Sequence, residues 1–464
     1  MGSVSSRLPS TPPPATGPGA PGTSGGASVP AGLRIAVQAL AAVVAGYVAM
    51  GVVAGLGLWA AGAADLPGGF AAVLAAVVVM AAGGQVEIAG SAGSFAGTQG
   101  ELTAMPLTVT LVGALVTGAV FLLPLRHHAV APARELAARA AAVVVLWLAA
   151  LAGLSAAARH DFPLTLGVGD PQEPLADLFG ELLDATEPTV GFRTVVGATL
   201  GYGLLWILGV LLVALLVSRR SALPARLLRY QEAVRPAASA MLLLLLAYVA
   251  VGLVIGLVVA ATRGHAAETL AVVLLGLPNV SWLALGVGIG GSWEGRVDGP
   301  FGLPMPQILD AVLRGGGETD LSTVDLSSLA AQDGRAWWLL PIAAVLVLAA
   351  AFVAAVRSPA RVRPWHNALH VGVAFALTML AVTPLTLVEA RFGLSILGIG
   401  DLSALGGEVV LRPHVWRTAG LALLWGLVAG FLGGLLATRV RHPGQLPPKD
   451  PPPADRAAPG SPPR

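Results

Sequence analysis

Apolar residues recur along this chain in ten long segments separated by shorter polar stretches. The segments run over residues 35–62, 68–84, 105–125, 138–158, 194–217, 237–262, 269–291, 337–356, 368–388 and 414–437. Most of them reach the roughly 20 apolar residues that a helix needs to cross a bilayer. They are too long and too uniformly apolar for barrel strands, and a helix satisfies its backbone amides internally. The pattern predicts an all-α fold, a polytopic bundle of membrane helices.

The composition also indicates a lipid environment. Hydrophobic residues make up 55% of the 464 positions and charged residues 11%, and the mean hydropathy is +0.79. A water-exposed surface could not carry these values. The chain has no cysteine, which excludes disulfides and thiolate metal sites. Residues 1–33 and 442–464 are rich in proline and poor in large apolar side chains, so we expect both to be disordered tails.

The two halves of the chain resemble each other. The stretch Tyr47–Leu56 (YVAMGVVAGL) and the stretch Tyr248–Leu257 (YVAVGLVIGL) agree at seven of ten positions. Further landmarks follow in the same order: Gly83-Gly-Gln-Val-Glu87 with Gly290-Gly-Ser-Trp-Glu294, Met105-Pro106 with Met305-Pro306, and Phe192-Arg-Thr194 with Trp416-Arg-Thr418. This order predicts an internal repeat of five segments, over residues 34–235 and 236–441.

The placement of arginines predicts the topology. Four basic connections lie at 126–139, 219–235, 357–363 and 439–441, whereas residues 160–192 hold seven acidic side chains and no lysine or arginine. Basic loops of membrane proteins face the cytoplasm. We therefore expect a multi-pass protein of the plasma membrane, with both termini cytoplasmic and the acidic loops outside.

Two arrangements of the segments remain open. Ten full crossings would place two basic connections outside, against the charge rule. If 68–84 and 269–291 are instead re-entrant or broken, all four basic connections become cytoplasmic. Glycines at Gly83-Gly84 and the pair Pro278-Asn279 are positions where such breaks are favoured.

The candidate polar site consists of Glu87, Glu294, Arg193, Arg417 and Asn279. A carboxylate within the membrane is costly and usually faces a cavity or a partner. If the repeats are related by a pseudo-twofold axis, both glutamates would approach that axis, where repeat transporters bind substrate or coupling ions. The alternative is that the glutamates lie at the outer interface and pair with the two arginines.

Signatures of enzymes are not found in the sequence. There is no phosphate-binding loop with lysine, no His-Glu-x-x-His and no histidine cluster at metal spacing. We therefore expect no catalytic residue, metal or cofactor. Because the basic loops flank apolar segments, the expected partner is the lipid bilayer and not nucleic acid. Two external stretches, 175–184 and 307–314, have the apolar spacing of short amphipathic helices.

Several motifs resemble the streptophobe family, very hydrophobic membrane proteins of Streptomyces. They are Gly290-Gly-Ser-Trp-Glu-Gly-Arg-Val-Asp-Gly-Pro-Phe-Gly-Leu-Pro-Met-Pro306, Asp333-Gly-Arg-Ala-Trp-Trp338, Arg357-Ser-Pro-Ala-Arg361, Leu397-Gly-Ile-Gly-Asp401 and the stretch from Trp425-Gly to Phe431-Leu-Gly-Gly434. The resemblance covers most of residues 35–437 and is most specific in the second half. It implies a membrane location and no assigned activity.

Two functions follow as hypotheses. The first, which the sequence favours, is a transporter or permease for a small molecule or ion of unknown identity, with its site between the two repeats. The second is a non-transporting membrane scaffold or envelope sensor that acts through its external acidic loops. The sequence does not identify a substrate, a coupling ion or a protein partner.

Overall fold

The structure is a computed structural model of the whole chain. It describes residues 30–65, 68–92, 96–124, 133–163, 189–218, 225–298, 307–314, 321–359, 363–396 and 401–440. The predicted tails lie almost entirely outside these ranges, as does the predicted amphipathic helix at 175–184. One correction concerns the first tail, because a helix already begins at Ala31, within the stretch 1–33 that we expected to be disordered.

Helices occupy all ten apolar segments. They are α1 (Ala31–Ala60), α2 (Phe70–Ala81), α3 (Leu107–Leu122), α4 (Ala133–Ala157), α5 (Val196–Val217), α6 (Ala225–Thr262), α7 (Ala266–Gly288), α10 (Leu339–Arg357), α11 (Pro364–Val382) and α12 (Val415–Val440). Two shorter helices, α8 (Gln307–Arg314) and α9 (Leu326–Gln332), lie between α7 and α10. The helix α8 is found where the amphipathic pattern predicted one.

The predicted helical membrane bundle is confirmed. Within the described residues, eight helices are long and apolar enough to cross a bilayer. The other two apolar helices are shorter: α2 has 12 residues and α3 has 16. At about 1.5 Å of rise per residue, α2 is roughly 18 Å long, well short of a hydrocarbon core of about 30 Å.

Between the helices the chain forms a β-sheet that the sequence analysis did not predict. Its strands are β1 (Val86–Ala92), β2 (Ala96–Ala104), β3 (Arg159–Pro163), β4 (Thr189–Thr194), β5 (Trp293–Asp298), β6 (Ser322–Val324), β7 (Val388–Ile396) and β8 (Asp401–Pro413). They form one sheet in the order β3-β4-β1-β2-β7-β8-β5-β6. All of its strand pairs are antiparallel.

The junction between the two halves runs through this sheet. Strand β2 of the first half pairs with β7 of the second in a register that extends from Ala96 opposite Ile396 to Ala104 opposite Val388. Within each half the strands follow the same order, because β3-β4-β1-β2 is matched by β7-β8-β5-β6. We call the side of the bundle that carries the strands the sheet side.

Helix contacts give the relative directions of the helices. Helix α1 is antiparallel to α3, since Gly46 packs against Thr117 and Met50 packs against Gly113. Because α3 begins directly after β2, the end of α1 lies on the sheet side. Similarly, Ser239 near the start of α6 bonds to Arg357 at the end of α10, with 3.4 Å between Oγ and Nη1. The end of α6 therefore also lies toward the sheet side.

The outer surface of the bundle is apolar. On α1, Val37, Val44, Val48, Val52 and Leu56 form an exposed stripe, and the buried residues occupy the opposite face. In water such a surface would be strongly unfavourable, and in lipid it is the expected one. Highly exposed tryptophans lie at sheet-side helix ends: Trp59 at 69%, Trp338 at 68% and Trp416 at 80%. Tryptophan is enriched at membrane–water interfaces, so these positions fit a bilayer boundary.

Candidate functional site

Glu87 and Glu294 follow two glycine turns of the same geometry. Gly83, two residues after the end of α2, has φ +92°, and Gly290, two residues after the end of α7, has the same φ. The next amide in each turn donates back into its helix, Gly84 to the Val79 carbonyl at 2.9 Å and Gly291 to the Gly286 carbonyl at 2.8 Å. These bonds satisfy helix-end carbonyls, and glycine accepts the positive φ without strain. The turns therefore deliver each glutamate to the start of a strand.

In the first half, the glutamate has the predicted arginine partner. Glu87 on β1 lies opposite Arg193 on β4, and Arg193 Nε donates to Glu87 Oε2 at 3.1 Å. The two side chains are 44% and 73% exposed, respectively. Such an exposed pair contributes at most about 1 kcal/mol. It orients two strands and is not a buried charge site.

In the second half, the pair predicted between Glu294 and Arg417 is not formed. Glu294 Oε1 instead lies 3.2 Å from His414 Nε2, whereas Arg417 Nη1 donates to Ser292 Oγ at 3.2 Å. The strand residue opposite Glu294 is Arg412, whose Nε bonds to Glu389 Oε1 at 2.6 Å.

Two backbone hydrogen bonds show which residue of the second half occupies the position of Arg193. The Val195 amide donates to the Gln85 carbonyl at 3.2 Å, and the His414 amide donates to the Ser292 carbonyl at 3.0 Å. These bonds occupy matching positions, each just before a helix and just after a glycine turn. By this register the counterpart of Arg193 is Arg412 and not Arg417. The sequence match of Phe192-Arg-Thr194 with Trp416-Arg-Thr418 therefore does not follow this backbone register.

The two glutamates are also not brought together. In the sheet order, β1 and β5 are separated by β2, β7 and β8. Four steps of about 4.8 Å between neighbouring strands place them roughly 19 Å apart along the sheet. The expected convergence of Glu87 and Glu294 on a shared site is therefore wrong, because the sheet inserts three strands between them.

Asn279 lies at the junction of the two halves. Its Nδ2 donates to the Met105 carbonyl at 2.9 Å, and its Oδ1 accepts the Leu107 amide at 3.2 Å. The Leu107 amide is in the first turn of α3, where helix amides have no partner within the helix. Asn279 of α7 thus caps a helix of the other half. The sequence analysis named Asn279 as a member of the candidate polar site but did not predict that it caps α3.

Thr108 supplies a second polar contact at the same junction. Its Oγ1 donates to the Val273 carbonyl at 2.9 Å and accepts the Leu277 amide at 3.1 Å. The break predicted at Pro278-Asn279 is absent, since α7 continues from Ala266 to Gly288 with Pro278 inside it. Pro278 has no amide to donate to the Leu274 carbonyl. The hydrogen bonds to Thr108 before the proline and those of Asn279 after it attach this part of α7 to the start of α3.

One polar cluster outside the membrane helices stabilises local structure. Asp325 caps α9, because its Oδ1 accepts the Ser328 amide at 2.8 Å and the Ser327 hydroxyl at 2.6 Å. Partial burial raises the pKa of Asp325, but the hydrogen bonds from Ser327 and Ser328 outweigh this effect and lower it. In the described part of the chain, no group of three or more histidine, aspartate or glutamate side chains could hold a metal ion.

Sequence reasoning missed Thr108, His414 and Arg412. A threonine in an apolar helix carries no signal of its partner, because the contact depends on a helix more than 160 positions away. His414 and Arg412 could have been found only with the strand register. No protein-family model, no curated protein and no solved structure matches this chain.

Proposed function

We propose that eight helices cross the membrane, namely α1, α3, α4, α5, α6, α10, α11 and α12, and that α2 and α7 enter and leave on the sheet side. This set includes the 16-residue α3 and leaves out α7, although α7 is long enough to cross a bilayer. The connections support this arrangement. The end of α1 lies on the sheet side, and α2 leads from there directly into β1 of the same sheet. In the second half, the end of α6 and the start of β5 enclose α7 in the same way. The first turn of α3 contacts the middle of α7, and a Cβ added at Gly288 would lie 2.7 Å from the carbonyl oxygen of Leu339, the first residue of α10.

The orientation follows from the charges in this proposal. With α2 and α7 excluded from the crossings, the connections at 126–139, 219–235 and 357–363 and the end at 439–441 all lie opposite the sheet. These are the basic connections, so the rule for positive charges assigns them to the cytoplasm. The sheet and the acidic residues 160–192 are then external, and both termini are cytoplasmic.

We further propose an internal duplication with its halves at 34–235 and 236–441. Two observations support it: the matched strand orders β3-β4-β1-β2 and β7-β8-β5-β6, and the matched glycine turns at Gly83 and Gly290. The proposed boundary lies inside α6 and next to Pro236. Membership of the streptophobe family is likewise proposed, on the motifs of the second half.

The function that these features support best is a non-transporting membrane scaffold or envelope sensor. The observation that carries this proposal is the continuous sheet across the junction. Alternating access in repeat transporters requires one repeat to rock against the other. Here β2 and β7 pair over nine residues, and Asn279 and Thr108 add four hydrogen bonds between the halves. A rocking motion would have to break these contacts. In a scaffold the same contacts keep the external sheet in one arrangement for a partner to bind.

A transporter is the second candidate, and one observation favours it. Helices α2 and α7 end inside their halves: Val79, Ala81 and Ala82 are fully buried, as are Leu285 and Val287. Transporters often build substrate sites from such interrupted segments. Against this, Glu87 and Glu294 lie on strands, and each already contacts a side chain of a neighbouring element, Arg193 and His414 respectively.

The two candidates differ in how the halves move. We would place single cysteines at Leu212 of α5 and Val356 of α10, both exposed near the proposed cytoplasmic ends, and attach spin labels to the otherwise cysteine-free chain in nanodiscs. The scaffold proposal predicts one narrow distance distribution, unchanged when the pH or the ion concentration of the buffer is changed. Two interconverting distances would instead support transport. A label pair within the first half, at Leu212 and Val145, provides the control.

A direct test of the scaffold uses the external loop. Photo-crosslinking residues placed one at a time within 160–192 should capture the same protein partner in intact cells. The same residue placed in the connection 357–363 should not capture that partner. Failure of every external position to yield a reproducible product would contradict the proposal.

A further inference from the structure

Helix α7 is longer than its counterpart α2 on the side that meets the other half. It begins at Ala266, 24 positions before the turn glycine Gly290, whereas α2 begins at Phe70, 13 positions before Gly83. The additional turns extend over the first half. There Gly57 of α1 leaves room for the side chain of Leu275, since a Cβ at residue 57 would lie 2.7 Å from Leu275 Cγ. The extension is therefore fitted to a surface that belongs to the other half.

The contact with Thr108 has an unusual form. In an α-helix the amide of residue i donates to the carbonyl of residue i−4, so Leu277 would bond to Val273. The Thr108 hydroxyl contacts both of these groups, at 3.1 Å from the Leu277 amide nitrogen and 2.9 Å from the Val273 oxygen. A side chain inserted at such a pair is a recognised cause of helix bending. One residue later, Pro278 has no amide to donate.

We propose that this segment is an intramolecular clasp, in which Thr108 and Asn279 are positioning residues that set the course of α7 and hold the two halves in one arrangement. The β2–β7 pairing also joins the halves, as does the packing of α5 against α6, and the clasp opposes rotation about the strand pair. When Thr108 loses its hydroxyl, the Leu277 amide and the Val273 carbonyl lose their bonds to α3, and α7 is no longer held against the first half at this point. This inference rests on the contacts alone and does not depend on the proposed function.

The experiment uses the full chain in nanodiscs with two labelled positions. One pair of cysteines, at Ala61 after α1 and Ala267 in α7, reports across the junction. A second pair, at Leu257 in α6 and Ala267, reports within the second half. All three positions are exposed. Pulsed EPR distance distributions are then compared for the wild type, Thr108→Val, which keeps the shape but not the hydroxyl, and Thr108→Ser, which keeps the hydroxyl.

We expect one narrow distance for both pairs in the wild type and in Thr108→Ser. In Thr108→Val the Ala61–Ala267 distribution should become at least twice as wide, with the Leu257–Ala267 distribution unchanged. A second variant, Asn279→Leu, keeps the Thr108 contact and should widen the same distribution. If Thr108 and Asn279 only stabilised the fold, replacing them would lower the melting temperature without changing the width of either distance distribution. Unchanged widths in whichever of these variants is folded would overturn the clasp.

Hydrogen–deuterium exchange of the wild-type protein tests the clasp without any substitution. Backbone amides at 273–279 should exchange with deuterium as slowly as those at 283–289, the buried end of the same helix, because the clasp fixes both parts. Rapid exchange confined to 273–279 would overturn the proposal.

Discussion

Replacing Gly291 by alanine gives the sharpest test of the helix-to-strand turns. A Cβ at this position would lie 2.8 Å from the Gly286 carbonyl oxygen and 2.8 Å from Thr418 Oγ1. Both neighbours are fixed, because Gly286 is part of α7 and Thr418 is fully buried. Forcing extra volume into a packed interior typically costs about 1–3 kcal/mol. We therefore expect Gly291→Ala to raise the unfolded-to-folded ratio roughly 5- to 140-fold.

The matched variant in the first half is Gly84→Ala. Its Cβ would lie 2.9 Å from the Val79 carbonyl oxygen and 3.1 Å from Thr199 Cγ2, so we expect destabilisation in the same range. Gly51→Ala is the control, since nothing lies within 4 Å of a Cβ at that position. There alanine should be neutral or should stabilise α1 by about 0.5–1 kcal/mol through backbone entropy.

Equilibrium unfolding in detergent, followed by tryptophan fluorescence, measures these effects. Trp293 is fully buried and packs against Gly286, so it is one of the ten tryptophans whose surroundings change when the protein unfolds. The reasoning would be refuted if Gly291→Ala and Gly51→Ala had the same stability. It would also be refuted if Gly291→Ala were destabilised but Gly84→Ala were not, because the two turns share one geometry.

Three further predictions concern other parts of the structure. Gly430→Ala should destabilise the protein by about 1–3 kcal/mol in thermal melts, because its Cβ would lie 2.7 Å from the backbone of α11; Gly420→Ala, with open space around it, should not. Asp325→Ala should lose about 1 kcal/mol of helix capping. Because its folded-state pKa is lowered, the contribution of Asp325 is present above its unfolded pKa and lost as the pH falls through the folded value, so the variant and wild type should converge in acid melts. Glu87→Gln should change stability by less than about 1 kcal/mol, since its pair with Arg193 is exposed; a larger loss would contradict the surface placement.

The helices were predictable from sequence because lipid selects for long apolar runs. Each of the ten segments contains a helix, and most ends agree within about five residues. The largest error is at α6, which begins at Ala225, twelve residues before the predicted start. The position of Pro278 was misinterpreted as a break. Whether a proline interrupts a helix depends on what takes over the missing bonds, and that role falls to Thr108 of a distant helix.

The sheet was not predictable in the same way. Strands such as Val86–Ala92 (VEIAGSA) and Ala96–Ala104 (AGTQGELTA) contain small and polar residues with little alternation. Their pairing comes from being held between helix ends, and local propensity contributes little. For this reason the site was only partly anticipated: Glu87 and Arg193 were paired correctly, but Glu294 was assigned the wrong arginine. The separation of the glutamates also depended on strand order, which short motifs do not contain.

The proposed sidedness is the claim on which the account depends most. The chain has no cysteine, so single cysteines at Arg134, beside a basic connection, and at Thr323, on the exposed edge of β6, can be labelled without background. A membrane-impermeant maleimide applied to intact cells should modify the Thr323 position, and should modify the Arg134 position only after the membrane is permeabilised. Labelling of Arg134→Cys in intact cells, or equal labelling of both positions there, would contradict the one-sided sheet.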